Sequence, residues 1–318
     1  MKKRILKVLC FIFIIIYIIY SPTIFISKLR TDILIKKVGD REQKDYKIVE
    51  LWNIDTFEGG SFSRTNFLEK RAIEFEKENN GIFFIIKNYT VEQAINKINE
   101  NQKPDMISYG MGFGEYIKNI VLPLIDNNNV RKDLLKYGKI NDTLFALPYM
   151  LGGYSLIANN NNQENLIKDI NNQKIYISQN NYVDMKKVLN KKNLTNFEEI
   201  QISTYDMYQD YIKEKYNIIL GTQRDVYRCY NRNKNQSFNS EFLFLEGYSD
   251  LVQFLSILED KNFEICGKFI KFLTSQDIQK KLCDIGMFNV LKMEFCSDEL
   301  YKKFEKTLNN NLESKSLF

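Results

Sequence analysis

Short apolar runs alternate with helical stripes along the first third of the chain. Residues 48–52, 82–86 and 106–109 are apolar runs of strand length, and each predicts a β-strand. Apolar residues recur at helical spacing in 67–75 and again in 91–98, and Thr90 is placed to cap the second helix. Strands and helices that alternate with short connections predict a parallel sheet covered by helices on both faces.

The middle of the chain carries weaker patterns than its two ends. Residues 159–201 are rich in Asn and Lys, with one short strand predicted at 174–178. The pattern then predicts a helix at 205–215 and a buried strand at 217–221. Helical spacing returns at 266–285. The whole folded part is therefore predicted to be α/β.

The N-terminal residues follow a different pattern. Lys2, Lys3 and Arg4 precede an apolar run over 8–26, whose length of about 19 residues is near that of a bilayer-spanning helix. Basic residues before an apolar run are typical of an export signal, and no small-residue cleavage site closes this one. We therefore expect residues 1–30 to be a signal segment or membrane anchor and 31–45 a tether. The folded part would lie on the extracellular side of the cell membrane.

Charge and composition exclude several function classes. The net charge is +5, but residues 1–40 hold eight basic and two acidic residues, and the remainder holds 37 basic and 38 acidic residues. That balance excludes an electrostatic surface for nucleic acid. The chain has no His, which excludes His-ligated zinc and Ser-His-Asp or Cys-His catalysis. We expect no cofactor and no metal ion.

The cysteines match no known ligand spacing. Cys10 lies within the apolar run, and Cys229, Cys266, Cys283 and Cys296 form no CxxC pattern. They could pair in an oxidising compartment, but a chain of this length does not depend on disulfides. Scattered thiols are the expected state, with the pairing left open.

Five segments of the chain carry a family resemblance. They are 48–52 with the helix 67–78, Lys-Pro-Asp-Met-Ile-Ser at 103–108, Leu-Pro-Tyr at 147–149, and the stretches 216–222 and 267–279. Their order and spacing cover most of residues 46–290. They resemble the extracellular solute-binding proteins of ABC importers, in the large group whose better-known members bind sugars.

The resemblance implies a fold and a function. The fold would be periplasmic-binding-protein-like (type II), with lobe one formed by 46–150 plus 246–290 and lobe two by 151–245 plus 291–318. Crossings between the lobes would lie near 149–158 and 224–245, and lobe two is shorter than is usual in the family. The implied function is to bind a carbohydrate or related polar solute in the cleft between the lobes, without catalysis. The implied partners are that solute and the permease subunits of an importer.

Candidate ligand contacts lie at predicted strand ends and crossings. Sugar sites combine flat aromatic rings with oriented amides, carboxylates and guanidinium groups. The candidates of these types, with the glycines of one loop, are Trp52, Glu58, Gly59, Gly60, Tyr109, Glu115, Tyr149, Tyr154, Arg224, Asp225, Tyr248 and Asp250. Each also has an ordinary structural alternative, such as core packing for Trp52, a helix cap for the loop, and an ion pair for Arg224 and Asp225. Gly152 and Gly153 predict either a hinge or a turn.

Two other functions remain open from the sequence. A sensory or scaffold protein could keep this fold and pass its ligand state to a membrane partner. A secreted hydrolase could use paired carboxylates such as Glu58 and Glu115. The spacing Gly110-x-Gly112-x-Gly114 lacks the full dinucleotide-binding motif, so it carries little weight.

Overall fold

A computed structural model describes residues 46–57, 64–125, 129–160, 167–168, 170–179 and 183–318. The predicted anchor and tether lie outside these ranges, as do the candidates Glu58, Gly59 and Gly60. Within the described part, no helix is both long enough and apolar enough to cross a bilayer. The membrane anchor therefore stays a prediction.

The first of two five-stranded sheets is built on the three strands predicted near the N-terminus. Strand β1 (Lys47–Asp55) lies between β2 (Ile82–Thr90) and β3 (Met106–Gly110), and both pairings are parallel. Strands β12 (Val252–Ile257) and β6 (Leu147–Leu151) extend the sheet beyond β3, each antiparallel to its neighbour. The strand order is β2-β1-β3-β12-β6.

Helices of the first sheet bury its apolar stripes. Helix α1 (Arg64–Glu78) places Phe75 against Phe84 of β2 and Phe269 of α7 (Phe263–Leu273), with the last two rings 4.3 Å apart. Helix α2 (Val91–Asn99) begins at the predicted cap Thr90. Helix α8 (Gln276–Lys280) follows α7 in the same lobe.

The Lys-Pro-Asp segment of the family resemblance has a structural role. The carboxylate of Asp105 accepts the backbone N–H of Glu50 at 2.8 Å and the side-chain amide of Asn262 at 2.9 Å. It therefore ties β1 to the segment that precedes α7.

The second sheet is formed by the middle of the chain. Its strands are β7 (Tyr154–Asn159), β8 (Ile175–Ser178), β9 (Phe197–Ile200), β10 (Ile218–Thr222) and β11 (Ser240–Phe244). The order is β11-β7-β10-β8-β9. Strands β8, β9 and β10 are parallel to one another, and β7 is antiparallel to both of its neighbours. This sheet forms the core of the second lobe.

Short elements complete the described chain. The second lobe carries α4 (Met185–Lys191), α5 (Thr204–Ile212) and α6 (Gln223–Lys234). Elsewhere lie α3 (Lys132–Leu135), the hairpin β4 (Lys139–Ile140) and β5 (Thr143–Leu144), and α9 (Glu299–Leu308). Single 3-10 turns lie at Gly114–Tyr116, Lys136–Gly138, Ile170–Asn172, Asp260–Asn262 and Cys283–Ile285.

The chain passes between the sheets at two places in its interior. The first crossing runs from the end of β6 through Gly152 and Gly153 to the start of β7. The return runs through 245–251, from the end of β11 to the start of β12. The sequence assigned the return to 224–245, but α6 and β11 occupy most of that range and the return follows them.

Residues 299–318 form a third connection, which we call the C-terminal strap. Phe304 of α9 stacks on Phe244 of the second sheet at 4.3 Å. Further on, the guanidinium of Arg131 donates to the carbonyl oxygens of Leu308 and Asn310, and the N–H of Ser314 donates to the hydroxyl of Tyr137. The strap thus contacts the second sheet at one end and the segment between β3 and β6 at the other.

One disulfide corrects the expectation of scattered thiols. Cys283 and Cys296 are bonded, with their Cα atoms 5.5 Å apart, while Cys229 and Cys266 are free and buried. The loop 283–296 folds back on itself, which spacing along the sequence does not reveal. The expectation is therefore wrong for this pair and holds for the two buried cysteines.

Candidate functional site: the cleft between the two sheets

The carboxyl ends of both sets of parallel strands lie at the crossings. Gly110, the last residue of β3, pairs with Gln253 at the start of β12, where the chain has just returned to the first sheet. Thr222, the last residue of β10, pairs with Tyr154, where the chain has just entered the second sheet. Parallel strands share an edge, so β1 and β2 end beside β3, and β8 and β9 end beside β10. The two carboxyl edges lie on either side of the crossings and form the cleft.

The glycines of the first crossing are required by close packing. A Cβ added at Gly153 would lie 2.6 Å from Cε2 of Phe304, and one at Gly152 would lie 2.5 Å from Oε1 of Gln223. Gln223 also joins the crossing by hydrogen bonds, because its N–H donates to the Gly153 carbonyl at 2.9 Å and its Oε1 accepts the Gly153 N–H at 3.2 Å. The crossing is therefore seated tightly against the first residue of α6 and the C-terminal strap.

Three sequence candidates meet beside this crossing. The hydroxyl of Tyr154 donates to Oδ1 of Asp250 at 2.7 Å, and the backbone N–H of Asp184 donates to Oδ2 at 2.6 Å. Tyr248 is buried beside them, and the ammonium of Lys187 lies 5.3 Å from its ring centroid. Burial raises the pKa of Asp250, and burial together with the nearby charge of Asp250 raises the pKa of both tyrosines. This group ties the return crossing to the second lobe.

Trp52 lies inside the first lobe. Its side chain is 2% exposed, its Nε1–H donates to Oε1 of Glu50 at 2.5 Å, and its ring meets that of Tyr89 edge-on at 5.0 Å. These contacts match the packing alternative considered for this residue. Its role as a sugar platform stays a prediction.

Tyr109 and Tyr149 are also fully buried in the first lobe. The hydroxyl of Tyr109 hydrogen-bonds to Ser256 at 2.9 Å, and that of Tyr149 hydrogen-bonds to Ser108 at 2.8 Å. Burial raises the pKa of both phenols, to about 12 for Tyr149. Both hydroxyls already have protein partners, so a ligand role for them stays a prediction.

The remaining described candidates lie at helix starts. Glu115 is exposed and forms an ion pair with Lys118 at 2.6 Å. Asp225 is buried in the first turn of α6, where it accepts the N–H of Thr222 at 3.0 Å and pairs with Arg228 at 3.0 Å. The guanidinium of Arg224 lies 5.7 Å from the ring centroid of Tyr227. Asp225 thus serves the helix cap, and its part in ligand binding is untested.

A polar row crosses the first sheet near its carboxyl edge. Asn53, Asn88 and Ser108 occupy paired positions on β1, β2 and β3. The amide of Asn53 donates to Oδ1 of Asn88 at 2.6 Å, and the hydroxyl of Ser108 donates to Oδ1 of Asn53 at 3.0 Å. Asn88 in turn donates to Asp55, which pairs with the buried guanidinium of Arg64 at 3.0 Å. No sequence signal marked this row.

The second lobe has an open concavity beyond the carboxyl ends of two of its strands. Its volume is about 280 Å³, and it is lined by Gln179, Gln201, Ile202 and Ser203. These residues follow the carboxyl ends of β8 and β9. They belong to a stretch whose pattern is weak, so the sequence did not single them out.

Among the residues that the structure describes, one group of possible metal ligands is found, and it lies away from the strand ends that flank the crossings. Sulfur and oxygen atoms of Cys283, Cys296 and Glu305 lie within 4.8 Å of one another. The two sulfurs form the disulfide, and the carboxylate of Glu305 accepts hydrogen bonds from the Asn289 amide and from the N–H groups of Phe295 and Cys296. The disulfide and the hydrogen bonds to Glu305 stabilise this loop. With both sulfurs bonded to each other, the three residues do not fit a metal ion.

Comparisons with known proteins identify the fold. No protein-family model and no curated protein sequence matches the chain. The GacH receptor of Streptomyces glaucescens, studied unliganded and in complex with acarbose, matches with a TM-score of 0.63 at 14% identity, over 86% of this chain and 89% of that one. The chain has the two-lobe α/β periplasmic-binding-protein-like fold.

Two further solved structures with this fold belong to proteins with different ligands or roles. Iron-bound HitA from Pseudomonas aeruginosa matches with a TM-score of 0.55 at 11% identity, over 80% of this chain and 89% of that one. A two-component system protein that mediates signal transduction matches with a TM-score of 0.53 at 15% identity, over 80% and 90%. At such identities the shared property is the fold, so ligand and role have to be argued from the site.

Proposed function

We propose that the chain is an extracellular solute-binding protein that takes up a carbohydrate or related polar solute in its cleft and delivers it to an ABC-type importer. The observation that carries this proposal is the placement of both carboxyl edges at the crossings. In open α/β sheets, ligands bind beyond the carboxyl ends of the strands. Here two sheets offer that edge to one space, which suits a solute held between two lobes.

The choice of a carbohydrate is supported by the polar, amide-bearing lining of the second lobe. The similarity to GacH, which was studied with acarbose, is consistent with it. The fold alone does not decide the ligand, because HitA with the same fold was studied with iron. We further propose that residues 8–26 anchor the chain in the cell membrane, with the folded lobes on the extracellular side.

We propose binding without turnover. The hydrolase alternative needs two free carboxylates, and Glu115 is held in an ion pair with Lys118. Its suggested partner, Glu58, lies outside the described residues.

A sensory role is the second candidate function. The structural similarity to a two-component system protein favours it, since a membrane-tethered lobe pair could report its ligand state to a signalling partner. The two roles differ in the membrane partner and share the ligand-binding step. Co-purification of the full chain with permease subunits supports import, whereas co-purification with a sensor kinase contradicts it.

Thermal unfolding of the full chain in mild detergent tests the binding step. A ligand that binds only the folded state adds about 2.7 kcal/mol at one hundred times its Kd. We expect neutral mono- and oligosaccharides to raise the melting temperature and molybdate and ferric citrate to leave it unchanged. A folded chain that is stabilised only by the ions contradicts the carbohydrate proposal. One that responds to no probe contradicts solute binding for all the classes tested.

A further inference from the structure

The concavity of the second lobe has features of a binding subsite. It lies beyond the carboxyl ends of β8 and β9, and its side chains at Gln179 and Gln201 are exposed. Within the described ranges, neither of these two side-chain amides has a hydrogen-bond partner in the protein. The hydroxyl of Ser203 is occupied, because it donates to Asp206 at 2.7 Å. The two glutamine amides are therefore the side-chain groups of this concavity that are available to hydrogen-bond a ligand.

The lining favours an uncharged ligand. A glutamine amide offers both donors and an acceptor, and a sugar hydroxyl likewise donates and accepts, so the two groups satisfy each other. None of the four lining residues carries a charge. A hard metal ion is held by several oxygen ligands, including carboxylates, and an oxyanion is held most strongly by cationic donors. The four lining residues supply neither carboxylates nor cations, so a neutral hydroxyl-bearing ligand suits them better.

An aromatic ring lies close by in sequence and on the same edge. Tyr205 is in the first turn of α5, two residues after Ser203, and is 49% exposed. The guanidinium of Arg228 lies 4.9 Å from the Tyr205 ring centroid and 5.2 Å from that of Tyr208. Asp225 pairs with Arg228 at 3.0 Å, so the cation that contacts the Tyr205 ring has an anionic partner.

We propose that Gln179, Gln201 and Tyr205 form the second-lobe subsite for a neutral sugar unit. The two amides bind ring hydroxyls, and the face of Tyr205 packs against the apolar C–H face of the sugar. This inference rests on the proposed function, since it names the chemistry of one side of the same cleft. It differs from the sequence expectation, which placed the aromatic contacts at the crossings and in the first lobe.

Binding titrations of the full chain and four variants test the subsite. The probes are maltotriose, xylotriose, chitotriose and galacturonic acid, measured by isothermal titration calorimetry. For the neutral sugar that binds best, Gln179→Ala and Gln201→Ala should each weaken affinity about three- to tenfold, as expected for a lost uncharged hydrogen bond. Tyr205→Ala should weaken it about tenfold, and Tyr205→Phe should restore most of the loss because the ring remains.

The controls separate the subsite from the proposed function. Gln173→Ala changes a glutamine at the opposite end of β8 and should leave affinity unchanged. A chain that binds a neutral sugar equally well with and without Gln179, Gln201 and Tyr205 overturns the subsite and leaves the proposed function standing. Preference for galacturonic acid over the neutral sugars also overturns it. A folded chain that binds none of the sugars overturns both.

Discussion

Tyr154 donates its hydroxyl hydrogen to Asp250 at 2.7 Å, and this bond joins the two crossings of the chain. Tyr154 begins β7 directly after the first crossing, and Asp250 lies two residues before β12 begins. Both side chains are fully buried, and the second oxygen of Asp250 accepts the Asp184 N–H. Neither of these two donors is a cation, and a buried carboxylate without an ion-pair partner among them is costly to keep charged.

We predict that Asp250 makes the fold less stable as pH rises. Its pKa is raised in the folded chain, mainly by burial, so the folded state holds this proton at pH values where the unfolded state has released it. The contribution of Asp250 to the free energy of unfolding is therefore greatest in acid, and it falls as pH rises through the raised pKa. The difference in unfolding free energy between the unmodified chain and Asp250→Asn should be largest at about pH 4, the ordinary pKa of Asp, and decline as pH rises above it.

Urea denaturation of both proteins at a series of pH values measures the difference. The other titrating groups are common to the two proteins. Their contributions to the difference in unfolding free energy therefore cancel to first order. Tyr154 and Tyr248 stay protonated because their pKa values are raised, and Lys187 and Lys315 are the nearby cations. A difference that is constant or grows with pH would contradict the prediction.

Gly153→Ala should destabilise the crossing. The new methyl group would lie 2.6 Å from Phe304, and overpacking of this kind costs about 1–3 kcal/mol. Combining it with Phe304→Leu, which makes room, should recover part of the loss. Gly267→Ala is the matched control, because its methyl group meets nothing within 4 Å in the middle of α7, and it should stabilise the fold by about 0.5–1 kcal/mol. Equal effects of the two glycine changes in chemical unfolding would refute the packing argument.

Removal of the disulfide should cost about 3 kcal/mol of stability. Cys283 and Cys296 are separated by 13 positions, and closing a loop of that size restricts the unfolded chain by about this amount. The double change to serine, compared with the oxidised chain in guanidinium unfolding, measures the loss. Stability that is unchanged by the double substitution would show that hydrogen bonds to Glu305 hold the loop without the bond.

The two buried thiols should resist alkylation in the native state. Burial raises the pKa of Cys229 to about 12 and also raises that of Cys266, and the thiolate is the reactive form. Iodoacetamide at about pH 8 followed by peptide mass spectrometry should modify neither residue until denaturant is added. Rapid labelling of Cys229 or Cys266 in the folded chain would be incompatible with their burial.

The apolar patterns predicted the centres of the first strands and missed their ends. Strand β1 continues through Asn53 and Asp55, which lie beyond the predicted strand 48–52 because Asn and Asp disfavour strands. In the fold, Asn53 bonds to Asn88 and Ser108 on neighbouring strands, so tertiary hydrogen bonds outweigh local preference. A partner 35 or 55 positions away cannot be read from a local pattern.

The sequence allows candidate residues to be chosen by chemical type only. In the structure, residues of the same type differ in how far they are buried. Trp52, Tyr109 and Tyr149 have the right rings for sugar binding but lie in the interior of the first lobe. Tyr205 has the same chemistry and is half exposed, yet the sequence presented it only as part of a helix. Which ring reaches solvent depends on how α5 and α6 pack together, and that packing is a property of the whole lobe.

The C-terminal strap changes the mechanics of the cleft. Two crossings alone would form a simple hinge, which would allow a large rotation of one lobe relative to the other. The strap adds a third tie through Phe304, Leu308 and Ser314, so any swing has to twist three chain segments together. We expect this third tie to limit how far the cleft opens. The width of the entrance for a solute would then depend on residues near position 310 as well as on the glycines of the first crossing.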